Sequence, residues 1–454
     1  MTKVDAPKDW VTARSDAQSL EEMLDADSKP APEFLRNTHP EYLGSEPLDV
    51  DRYTSQEFFN QEVEKMWPRV WQMAGREEEI PNVGDFMVYE NVGRSFLIAR
   101  QEDGSIRAFY NACLHRGRKL KTEQGNAKRF KCPFHGFEWD LSGQLSDLPC
   151  GWDFPHLKAE EMALPEPKVE TWAGFIFLNE DENAMPLKDY MAPTQEHFER
   201  WKLEDCFRAV YVGKVINANW KAVMEAFMEA WHSTETHPQI TPYTGDTNSQ
   251  YDIYSKHVNR MITPFGVPSP NIDMAKHDQQ WIVNHFLGPD DAPKVEDGSN
   301  ARAAMGDRNR NMFLTMGGHD ASEVTDAEVQ DAILYNIFPN FCPWGGFQPN
   351  IIYRWRPHGM DPNKCLMEIQ LLMRTPKGMD RPKPAPLHLL GEDEPFANAP
   401  ELQGLAAIFD QDLGNLPYVQ EGMYALKGGK VNLANYQESK IRHFHQTLDK
   451  YLAD

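Results

Sequence analysis

The chain has 454 residues, of which 41% are hydrophobic and 25% are charged. This composition is that of a globular protein, and it excludes a collagenous, low-complexity or largely disordered chain. The formal net charge of −23 makes nucleic acid a poor partner, because an acidic surface repels a polyphosphate backbone. The sequence contains neither a run of about eighteen apolar residues nor a basic-then-apolar leader, so we expect a cytoplasmic protein without a membrane span.

The first two segments of the chain differ in pattern. Residues 1–50 are polar and predict an extended arm with one helix near Ala17–Asp27. Residues 51–185 begin with a helical pattern over Gln56–Trp67 and continue as short apolar runs separated by turn residues, which predicts a small antiparallel β-domain. Its strands are expected at Phe86–Tyr89, Ser95–Ala99, Arg107–Tyr110 and Trp172–Leu178.

The third segment, residues 186–454, mixes longer helical patterns with strands and predicts a larger domain. Its helices are expected over Trp220–His232, from about Leu402 onwards and over Asn435–Leu452. Residues 286–311 are polar, and we expect them to form a long surface loop. The predicted fold class is therefore α+β, with a β-rich domain followed by a larger mixed domain.

Two cysteines and two histidines form the most specific motif. Cys113 and His115 are followed, after sixteen residues, by Cys132 and His135. Thiolate and imidazole ligands in this arrangement could hold a tetrahedral zinc ion or a two-iron cluster. The single residue between Cys113 and His115 is less typical of zinc, whose paired ligands usually stand about two to four residues apart. A structural zinc site, and buried cysteines with unrelated histidines, remain the alternatives.

Basic residues crowd the segment between His115 and Cys132, where Glu123 is the only acid. In an otherwise acidic chain, a basic surface beside a redox centre favours docking of an acidic electron donor. The alternative is that these charges only solvate a loop. The basic residues are Arg116, Arg118, Lys119, Lys121, Lys128, Arg129 and Lys131.

A second possible metal site contains His232 and His237. These residues stand five positions apart, so a regular helix would not place them on one face, whereas a helix end or a bulge between them would let both reach one metal. Two histidines and a carboxylate form the facial triad that binds Fe(II) and leaves positions open for dioxygen. Two nearby histidines are weak evidence by themselves, since histidines are common in cores and on surfaces.

The cysteine–histidine motif, followed by Gly136-Phe137-Glu138-Trp139, resembles the Rieske domain of ring-hydroxylating oxygenases, the large (alpha) subunits of Rieske non-haem iron oxygenases. The likeness covers roughly residues 50–452. It implies a Rieske β-domain followed by a catalytic domain with a helix-grip (START-like) antiparallel sheet covered by helices. It also implies that Cys113 and Cys132 bind one iron of a [2Fe–2S] cluster, while His115 and His135 bind the other.

The resemblance continues with Asn219-Trp220-Lys221 and the two histidines that follow, and it implies that His232 and His237 bind a mononuclear Fe(II). The third ligand of the family is an aspartate in an acidic cluster just before a helix. Alignment through the nearby Asn415 and Gln420 favours Asp412 for this role. Asp410 is the rival, and its alternative role is that of an exposed acid in the first turn of a helix.

Glu229 stands where the family carries the acid that links the iron histidine of one subunit to a Rieske histidine of its neighbour. Many members have aspartate there, and members acting on quaternary ammonium compounds have glutamate. Because this link joins two subunits, the resemblance implies an oligomer, and the family members form homotrimers, in some cases with an additional beta subunit. The chain shows no G-x-G-x-x-G and no plant-type ferredoxin motif, so a separate ferredoxin or flavin reductase must supply electrons.

The expected function is that of a terminal oxygenase, which hydroxylates or oxidatively dealkylates a hydrophobic compound of expected aromatic character. An oxygenase acting on a quaternary ammonium compound is the alternative substrate class, and a Rieske electron carrier and a zinc-stabilised binding protein are the competing functions. Apolar residues of the second domain are candidates to line the pocket, although such residues are more often plain core. They are Met224, Phe227, Met228, Ile240, Tyr335, Ile337, Phe338 and Phe341.

Overall fold

The computed structural model describes residues 6, 10, 17–347 and 349–453. The chain divides into two compact units. The larger unit comprises the described residues of Met1–Asn60, Tyr190–Pro357 and Asp361–Asp454, and the smaller unit comprises Gln61–Asp189 and His358–Met360. The domain boundaries that we placed at residues 51 and 186 stay a prediction. Within the described ranges, no helix is both long enough and apolar enough to cross a membrane.

The smaller unit is β-rich, and its described residues form three sheets. The predicted strands at 86–89, 95–99 and 107–110 are confirmed. The strand orders are Lys168–Trp172, Phe175–Asn179, Gln72–Arg76 in one sheet; Ile106–Tyr110, Arg94–Arg100, Asp85–Asn91, Gly125–Asn126 in the second; and Arg129–Lys131, Glu138–Asp140, Leu145–Asp147 in the third.

The predicted strand Trp172–Leu178 is wrong as a single element. Ala173 and Gly174 have φ angles of 51° and 80°, so the chain reverses there. The result is a hairpin of two antiparallel strands, Lys168–Trp172 and Phe175–Asn179. Turn geometry outweighs the continuous apolar run at this point.

The predicted helix over Gln56–Trp67 also differs in detail. An α-helix spans Gln56–Gln61, a π-helical turn follows at Glu62–Met66, and a 3-10 turn ends the segment at Trp67–Arg69. Pro68 lies inside this last turn, where the missing N–H of proline costs nothing because the first N–H groups of a helix have no partner.

The larger unit is built on an eight-stranded sheet of described residues. The edge pair Cys206–Ile216 and His388–Leu390 is parallel, while Cys206–Ile216 is antiparallel to its other neighbour. The C-terminal helix Ser439–Ala453 packs on one end of the sheet. The strand order is Gln250–Ile253, Val258–Thr263, Ala332–Ile337, Phe341–Pro343, Asn350–His358, Asp361–Arg374, Cys206–Ile216 and His388–Leu390. The predicted α+β class is confirmed.

Most helices of the larger unit are short. The long ones are Ala301–Gly317 and the C-terminal helix, which begins four residues later than predicted. A small sheet pairs Leu48–Asp49 with Lys430–Val431. The remaining α-helices are Leu20–Ala26, Glu33–Arg36, Asp51–Thr54, Thr194–Phe198, Trp220–Glu225, Ser233–Thr236, Gln279–Leu287, Asp326–Gln330, Leu405–Leu413 and Leu416–Ala425, and Leu187–Tyr190 lies where the two units join in sequence.

The prediction of a surface loop over residues 286–311 is wrong. The helix Gln279–Leu287 ends inside this segment, and the helix Ala301–Gly317 begins there. Asn300 caps the second helix by accepting a hydrogen bond from the N–H of Ala303. The polar composition misled the prediction, because this helix is held by buried ion pairs as well as by apolar contacts.

Arg302 is the centre of those ion pairs. Its guanidinium donates to Asp27 Oδ1 at 2.7 Å and to Asp331 Oδ1 at 2.6 Å, and all three side chains are almost completely buried. Burial raises the pKa of Asp331 to about 6, although Arg302 opposes that rise. Asp27 belongs to the N-terminal arm, so this network joins the arm to the helix Ala301–Gly317.

The described part of the arm packs on the larger unit along its length. It contains the helix Leu20–Ala26, close to the predicted helix at residues 17–27, and Ser19 forms a capping box with Glu22. Beyond Asp27, the carbonyl of Phe34 accepts from Arg260, and the N–H of His39 donates to Asp252. These contacts make the arm part of the folded unit.

We expect Arg302→Met to lower the free energy of unfolding by about 3 to 5 kcal/mol, because it leaves two buried carboxylates without their cation. Urea unfolding followed by tryptophan fluorescence measures this change. Arg308→Met on the same helix is the control, since among the described residues the Arg308 side chain donates hydrogen bonds only to Asn309 and Met312. Equal destabilisation by the two variants would contradict the role assigned to Arg302.

Candidate metal centres

Two loops of the smaller unit carry the cysteine–histidine motif, and they have the same backbone pattern. In residues 113–118 the N–H of Cys113 donates to the carbonyl of Arg118, and the N–H of Gly117 donates back to the carbonyl of Cys113. In residues 132–137 the N–H of Cys132 donates to Phe137, and Gly136 donates back to Cys132. Each loop is therefore a closed turn with a cysteine at its base.

Glycine is needed at the fifth position of both loops. Gly117 and Gly136 have φ angles of 76° and 85°, in the left-handed region that other residues avoid. The cysteines are buried in a core cluster that includes Phe109, Phe130 and Trp139. The packing of this core fixes the bases of the two loops against each other.

The two thiols lie within hydrogen-bond distance of one another, and backbone N–H groups surround them. Burial raises the pKa of Cys113. Burial also opposes ionisation of Cys132, but the N–H groups of Phe134 and His135 outweigh it, and the pKa of Cys132 lies below its usual value. Sulfur atoms that accept several N–H donors can carry negative charge, as thiolate ligands of a metal cluster must.

The rings of His115 and His135 complete this group. Their centroids are 4.6 Å apart, and the His115 ring stacks on Phe137 at 4.8 Å. His135 is exposed, whereas His115 Nδ1 is buried and has no hydrogen-bond partner among the described residues. An imidazole nitrogen in that position fits a metal ligand. The predicted residues Cys113, His115, Cys132 and His135 are thus brought together, and this set of two sulfurs and two nitrogens fits a Rieske cluster.

In the larger unit, Asn219 sets the start of the helix that leads to the two histidines. Its side chain accepts from the N–H of Lys221 and donates to the carbonyls of Tyr53 and Pro362. Its own N–H donates to Oε1 of Gln420. The buried Asn219 therefore ties the first turn of the helix Trp220–Glu225 to three other segments of the chain.

That helix ends at Glu225, so its predicted extension to His232 is wrong. The segment after it contains a separate one-turn helix, Ser233–Thr236, with His232 as its N-cap residue and His237 as its C-cap residue. A short helix with one histidine at each end lets both rings face the same point. The expected helix end between the histidines is present, because the helix stops at Thr236 and His237 is its C-cap residue.

The rings of His232 and His237 converge on Asp412. Oδ1 of Asp412 lies 3.1 Å from His237 Nε2 and 3.7 Å from His232 Nε2. One potential ligand atom from each residue lies within 4.8 Å of the others, and this group could hold a metal ion. Two imidazoles and one carboxylate are the donor set of a non-haem Fe(II) site, so the residues fit that ion.

Asp410, the rival of Asp412, faces other partners. It accepts hydrogen bonds from the backbone N–H groups of Phe396 and Ala397, at 2.6 and 3.0 Å. It lies near the end of the helix Leu405–Leu413, so the alternative of an acid in the first turn is wrong. Asp412 lies on the same helix and is the carboxylate beside the histidines.

The Nδ1 atoms of both histidines, on the other side of each ring from Nε2, also have hydrogen-bond partners. Glu229 Oε1 lies 2.6 Å from His232 Nδ1, and Gln411 Oε1 lies 2.8 Å from His237 Nδ1. A carboxylate and an amide oxygen can only accept, so both Nδ1 atoms carry the proton and both Nε2 atoms present a lone pair. Burial opposes protonation of His232, but Glu229 outweighs it and raises the pKa of His232.

Gln411 is a residue that the sequence analysis missed. Its amide pairs reciprocally with that of Gln239, with distances of 2.7 and 3.1 Å, and this pair fixes the orientation of its oxygen towards His237. The only signal in the sequence was its position beside Asp412. A neutral amide cannot be recognised as a histidine partner before the helix that carries it has been placed.

The predicted pocket residues fall into four groups. Met224, Met228 and Phe338 line a common narrow cavity. Phe227 instead packs against Tyr353 and Trp355, with ring centroids 5.2 and 5.3 Å away. Ile240 follows His237, to whose carbonyl its N–H donates. Tyr335, Ile337 and Phe341 are buried in the sheet.

We expect Asp412→Ala to weaken Fe(II) binding by more than about 100-fold, the upper end of the loss caused by removing an outer partner of a ligand. Asp410→Ala is the matched control and should keep its iron, because Asp410 contacts backbone N–H groups of another segment. Anaerobic Fe(II) titration of the demetallated protein measures both affinities. Loss of iron in Asp410→Ala with retention in Asp412→Ala would reverse the assignment.

Comparison with known proteins adds to this geometry. The Rieske [2Fe-2S] domain family matches residues 70–158, and the family of the ring hydroxylating alpha subunit (catalytic domain) matches residues 194–454. The chain is 34% identical over 196 residues to the biphenyl 2,3-dioxygenase subunit alpha of Rhodococcus jostii (strain RHA1). The aligned region is 42% of this chain and 43% of that protein. It is 29% identical over 225 residues to the glycine betaine monooxygenase oxygenase subunit of Pseudomonas aeruginosa (strain UCBPP-PA14). That aligned region is 49% of this chain and 51% of the relative.

These matches span about half the length of the curated relatives. Solved structures are similar over more of the chain. Naphthalene 1,2-dioxygenase with indole bound has a TM-score of 0.64 at 19% sequence identity. The alignment covers 91% of this chain and 94% of the dioxygenase chain. A quaternary ammonium Rieske monooxygenase in complex with L-carnitine has a TM-score of 0.61 at 18% identity, covering 91% of this chain and 97% of its own. The predicted fold is confirmed, and the chain belongs to the family of ring-hydroxylating oxygenase alpha subunits, with a Rieske [2Fe–2S] domain before its catalytic domain.

Proposed function

We propose that this chain is the terminal oxygenase component of a multicomponent system. It uses dioxygen and electrons from a separate ferredoxin or flavin reductase to hydroxylate or oxidatively dealkylate a hydrophobic, aromatic small molecule. The observation that carries the proposal is the convergence of His232 Nε2, His237 Nε2 and the Asp412 carboxylate in a chain that also has a Rieske domain. The alternative of a pure electron carrier needs no such second site.

Two metal groups belong to the proposal. Cys113 and Cys132 would hold one iron of the [2Fe–2S] cluster, and His115 and His135 would hold the other. His232, His237 and Asp412 would hold Fe(II). When bound, the cluster supplies electrons one at a time, and the Fe(II) site has open positions for dioxygen.

The residues around the Fe(II) site act by fixing its ligands. Glu229 accepts the Nδ1 proton of His232, and Gln411 accepts that of His237, so neither ring can turn its lone pair away from the metal. Glu229 also accepts from the backbone N–H of His232 at 3.1 Å. We further infer that Glu229 links this histidine to a Rieske histidine of a neighbouring subunit in a homotrimer, as the resemblance to the family implies.

A quaternary ammonium substrate is the second candidate. The rings of Phe227, Tyr353 and Phe409 lie together near Asp412, and aromatic faces attract an ammonium group. Burial raises the pKa of the Tyr353 phenol, and the negative charge of Asp412 raises it further. The similarity to glycine betaine and carnitine monooxygenase oxygenase subunits supports the same candidate.

The electron donor is proposed to dock on the basic surface of the Rieske domain. Lys119 pairs with Glu90, and Arg129 and Lys131 pair with Glu138. Arg116, Arg118 and Lys128 are exposed, and none of them has an ion-pair partner within the described ranges. Their uncompensated charges favour an acidic partner.

Single-turnover oxygenation tests the proposed function. We expect the purified protein to contain about three irons and two sulfides per chain. After reduction and removal of the reductant, exposure to ¹⁸O₂ with a panel of biphenyl, naphthalene and glycine betaine should give a labelled product from at least one compound, detected by mass spectrometry. His232→Ala should keep the cluster absorption and lose the product. An active His232→Ala variant would contradict the triad, and zinc without sulfide would exclude the oxygenase.

We expect the double variant Arg118→Glu with Lys128→Glu to slow reduction of the cluster by an acidic ferredoxin at least about tenfold at low salt, because charge steering accelerates association by 10- to 1000-fold. Stopped-flow absorbance of the cluster measures the rate. Lys188→Glu changes another exposed lysine of the same unit and should have no effect. An unchanged rate in the double variant would place the docking surface elsewhere.

A further inference from the structure

The one-turn helix between the two histidines is too short to be stable by itself. Ser233–Thr236 has four residues, whereas an isolated helix needs more than about twelve to be stable in water. Its backbone hydrogen bonds include those from the N–H groups of Thr236 and His237, to the carbonyls of His232 and Ser233 at 2.9 and 3.0 Å. The separation of the two rings depends on this turn, so contacts from other segments must hold it.

Thr234, in the middle of the turn, makes such contacts through its hydroxyl group. The hydroxyl donates to Oδ2 of Asp246 at 2.9 Å and accepts from Nδ2 of Asn271 at 3.1 Å. With roughly 3.6 residues per helical turn, the Thr234 side chain leaves the axis about 200° around from that of His232. The two contacts therefore hold the turn from the side away from that ring, and they use both the proton and a lone pair of the hydroxyl.

Asp246 is a completely buried carboxylate whose own position is fixed. Its Oδ1 accepts from the N–H of Thr247 at 2.7 Å, and its carbonyl accepts from the hydroxyl of Ser249 at 2.7 Å. The hydroxyl of Ser249 also lies 2.7 Å from that of Thr263, which belongs to the sheet of the larger unit. A buried charge without hydrogen bonds is costly, so the carboxylate strongly favours the arrangement in which Thr234 donates to its other oxygen.

Asn271, the second partner of the hydroxyl, is fixed through the segment in front of it. Its N–H donates to the hydroxyl of Ser269 at 3.1 Å, and the N–H of Ser269 donates to the carbonyl of Thr241 at 2.8 Å. The hydroxyl of Thr241 in turn donates to the carbonyl of Pro238 at 2.8 Å. Asn271 is thus bonded back to the chain immediately after His237, and the network connects the middle of the turn with the segment that follows it.

We propose that Thr234 and Asp246 are positioning residues for the two histidines. The buried carboxylate holds the Thr234 hydroxyl, and the hydroxyl holds the turn in the geometry that directs both Nε2 atoms to one point. This inference rests on the proposed oxygenase function and deepens it, because it assigns the geometry of the Fe(II) site to residues outside the triad. Glu229 and Gln411 fix the rotation of the rings, whereas this pair fixes their separation.

Anaerobic Fe(II) titration, after removal of the mononuclear iron, tests the role of the hydroxyl. Thr234→Val replaces the hydroxyl by a methyl group of similar size, and we expect it to weaken Fe(II) binding about tenfold, the lower end of the loss for outer partners of a metal ligand. Thr234→Ser keeps the hydroxyl and should restore the wild-type affinity. Thr236→Val is the matched control in the same turn and should also keep that affinity, because among the described residues the Thr236 hydroxyl has only one distant partner, Asn415 Nδ2 at 3.5 Å.

Variants of Asp246 separate the hydrogen bond from the negative charge. Asp246→Asn removes the charge, but its amide can still bond to the Thr234 hydroxyl, so we expect Fe(II) binding close to that of the wild type. Asp246→Ala removes both and should weaken Fe(II) binding about tenfold. Equal loss in the two variants contradicts the proposal, because the carboxylate would then act through its charge.

Electron paramagnetic resonance (EPR) distinguishes positioning from general stability. The EPR signal of the nitric oxide complex of the Fe(II) site, recorded at saturating Fe(II), reports the symmetry of the ligand set. We expect this signal to change in Thr234→Val and to return to the wild-type form in Thr234→Ser. The absorption of the Rieske cluster and the midpoint of thermal unfolding, measured before Fe(II) is added, show whether each variant is folded.

The proposal is overturned if Thr234→Val binds Fe(II) with wild-type affinity, if its EPR signal is unchanged, or if Thr236→Val loses as much affinity. Where Asp246→Ala does not fold, the isosteric Thr234→Val decides the question. A wild-type protein that takes up no iron beyond the cluster contradicts the proposed function, and the positioning role with it. Normal iron uptake and oxygenation by the wild type, with unchanged Fe(II) binding in the variants, contradicts only the role of Thr234 and Asp246.

Discussion

The proposed metal centre of the larger unit depends on one constraint: both histidine rings are held by their Nδ1 atoms. The carboxylate of Glu229 fixes His232, and the amide of Gln411 fixes His237. Each partner accepts a proton from the ring and thereby keeps the lone pair on Nε2, where Asp412 stands. The one-turn helix between the histidines gives the correct separation, but without these two acceptors the rings could rotate. Gln411 and Asp412 are neighbours, so one short helix supplies both a proposed ligand and the partner of another proposed ligand.

Buried charges hold the surrounding elements in place. Arg302 joins the N-terminal arm to the helix Ala301–Gly317, and Arg354 donates to Glu368 inside the sheet. Burial opposes ionisation of Glu368, but Arg354 and Arg356 outweigh it and keep its pKa well below the usual range.

The sequence predicted best what depends on short-range spacing. Cys113 and His115, like Cys132 and His135, lie within single closed turns, so their proximity follows from local chain geometry. The five-residue spacing of His232 and His237 likewise predicted a helix end or a bulge between them. Asp412 could be favoured over Asp410 only by resemblance, because the partners of Asp410 are backbone groups brought near by tertiary folding.

Long-range features could not be predicted in this way. The role of Gln411 requires the helix Leu405–Leu413 to lie beside His237, and the helix Ala301–Gly317 is fixed by Asp27, about 270 residues earlier, through a pairing that no local pattern reveals. In such segments, polar composition resembles that of a loop although the charges are buried.

The position of Asn219 has a consequence for the order of events during synthesis. Its backbone N–H bonds to Gln420, and the histidines that follow it need Asp412 and Gln411. A nascent chain that has just emerged with both histidines therefore lacks the anchor of the helix start, the carboxylate ligand and one of the two acceptors. The chain as far as Gln420 must leave the ribosome before these parts can meet. The proposed iron site therefore cannot be completed before Asp412 has been synthesised, and a chain interrupted before residue 412 lacks its carboxylate.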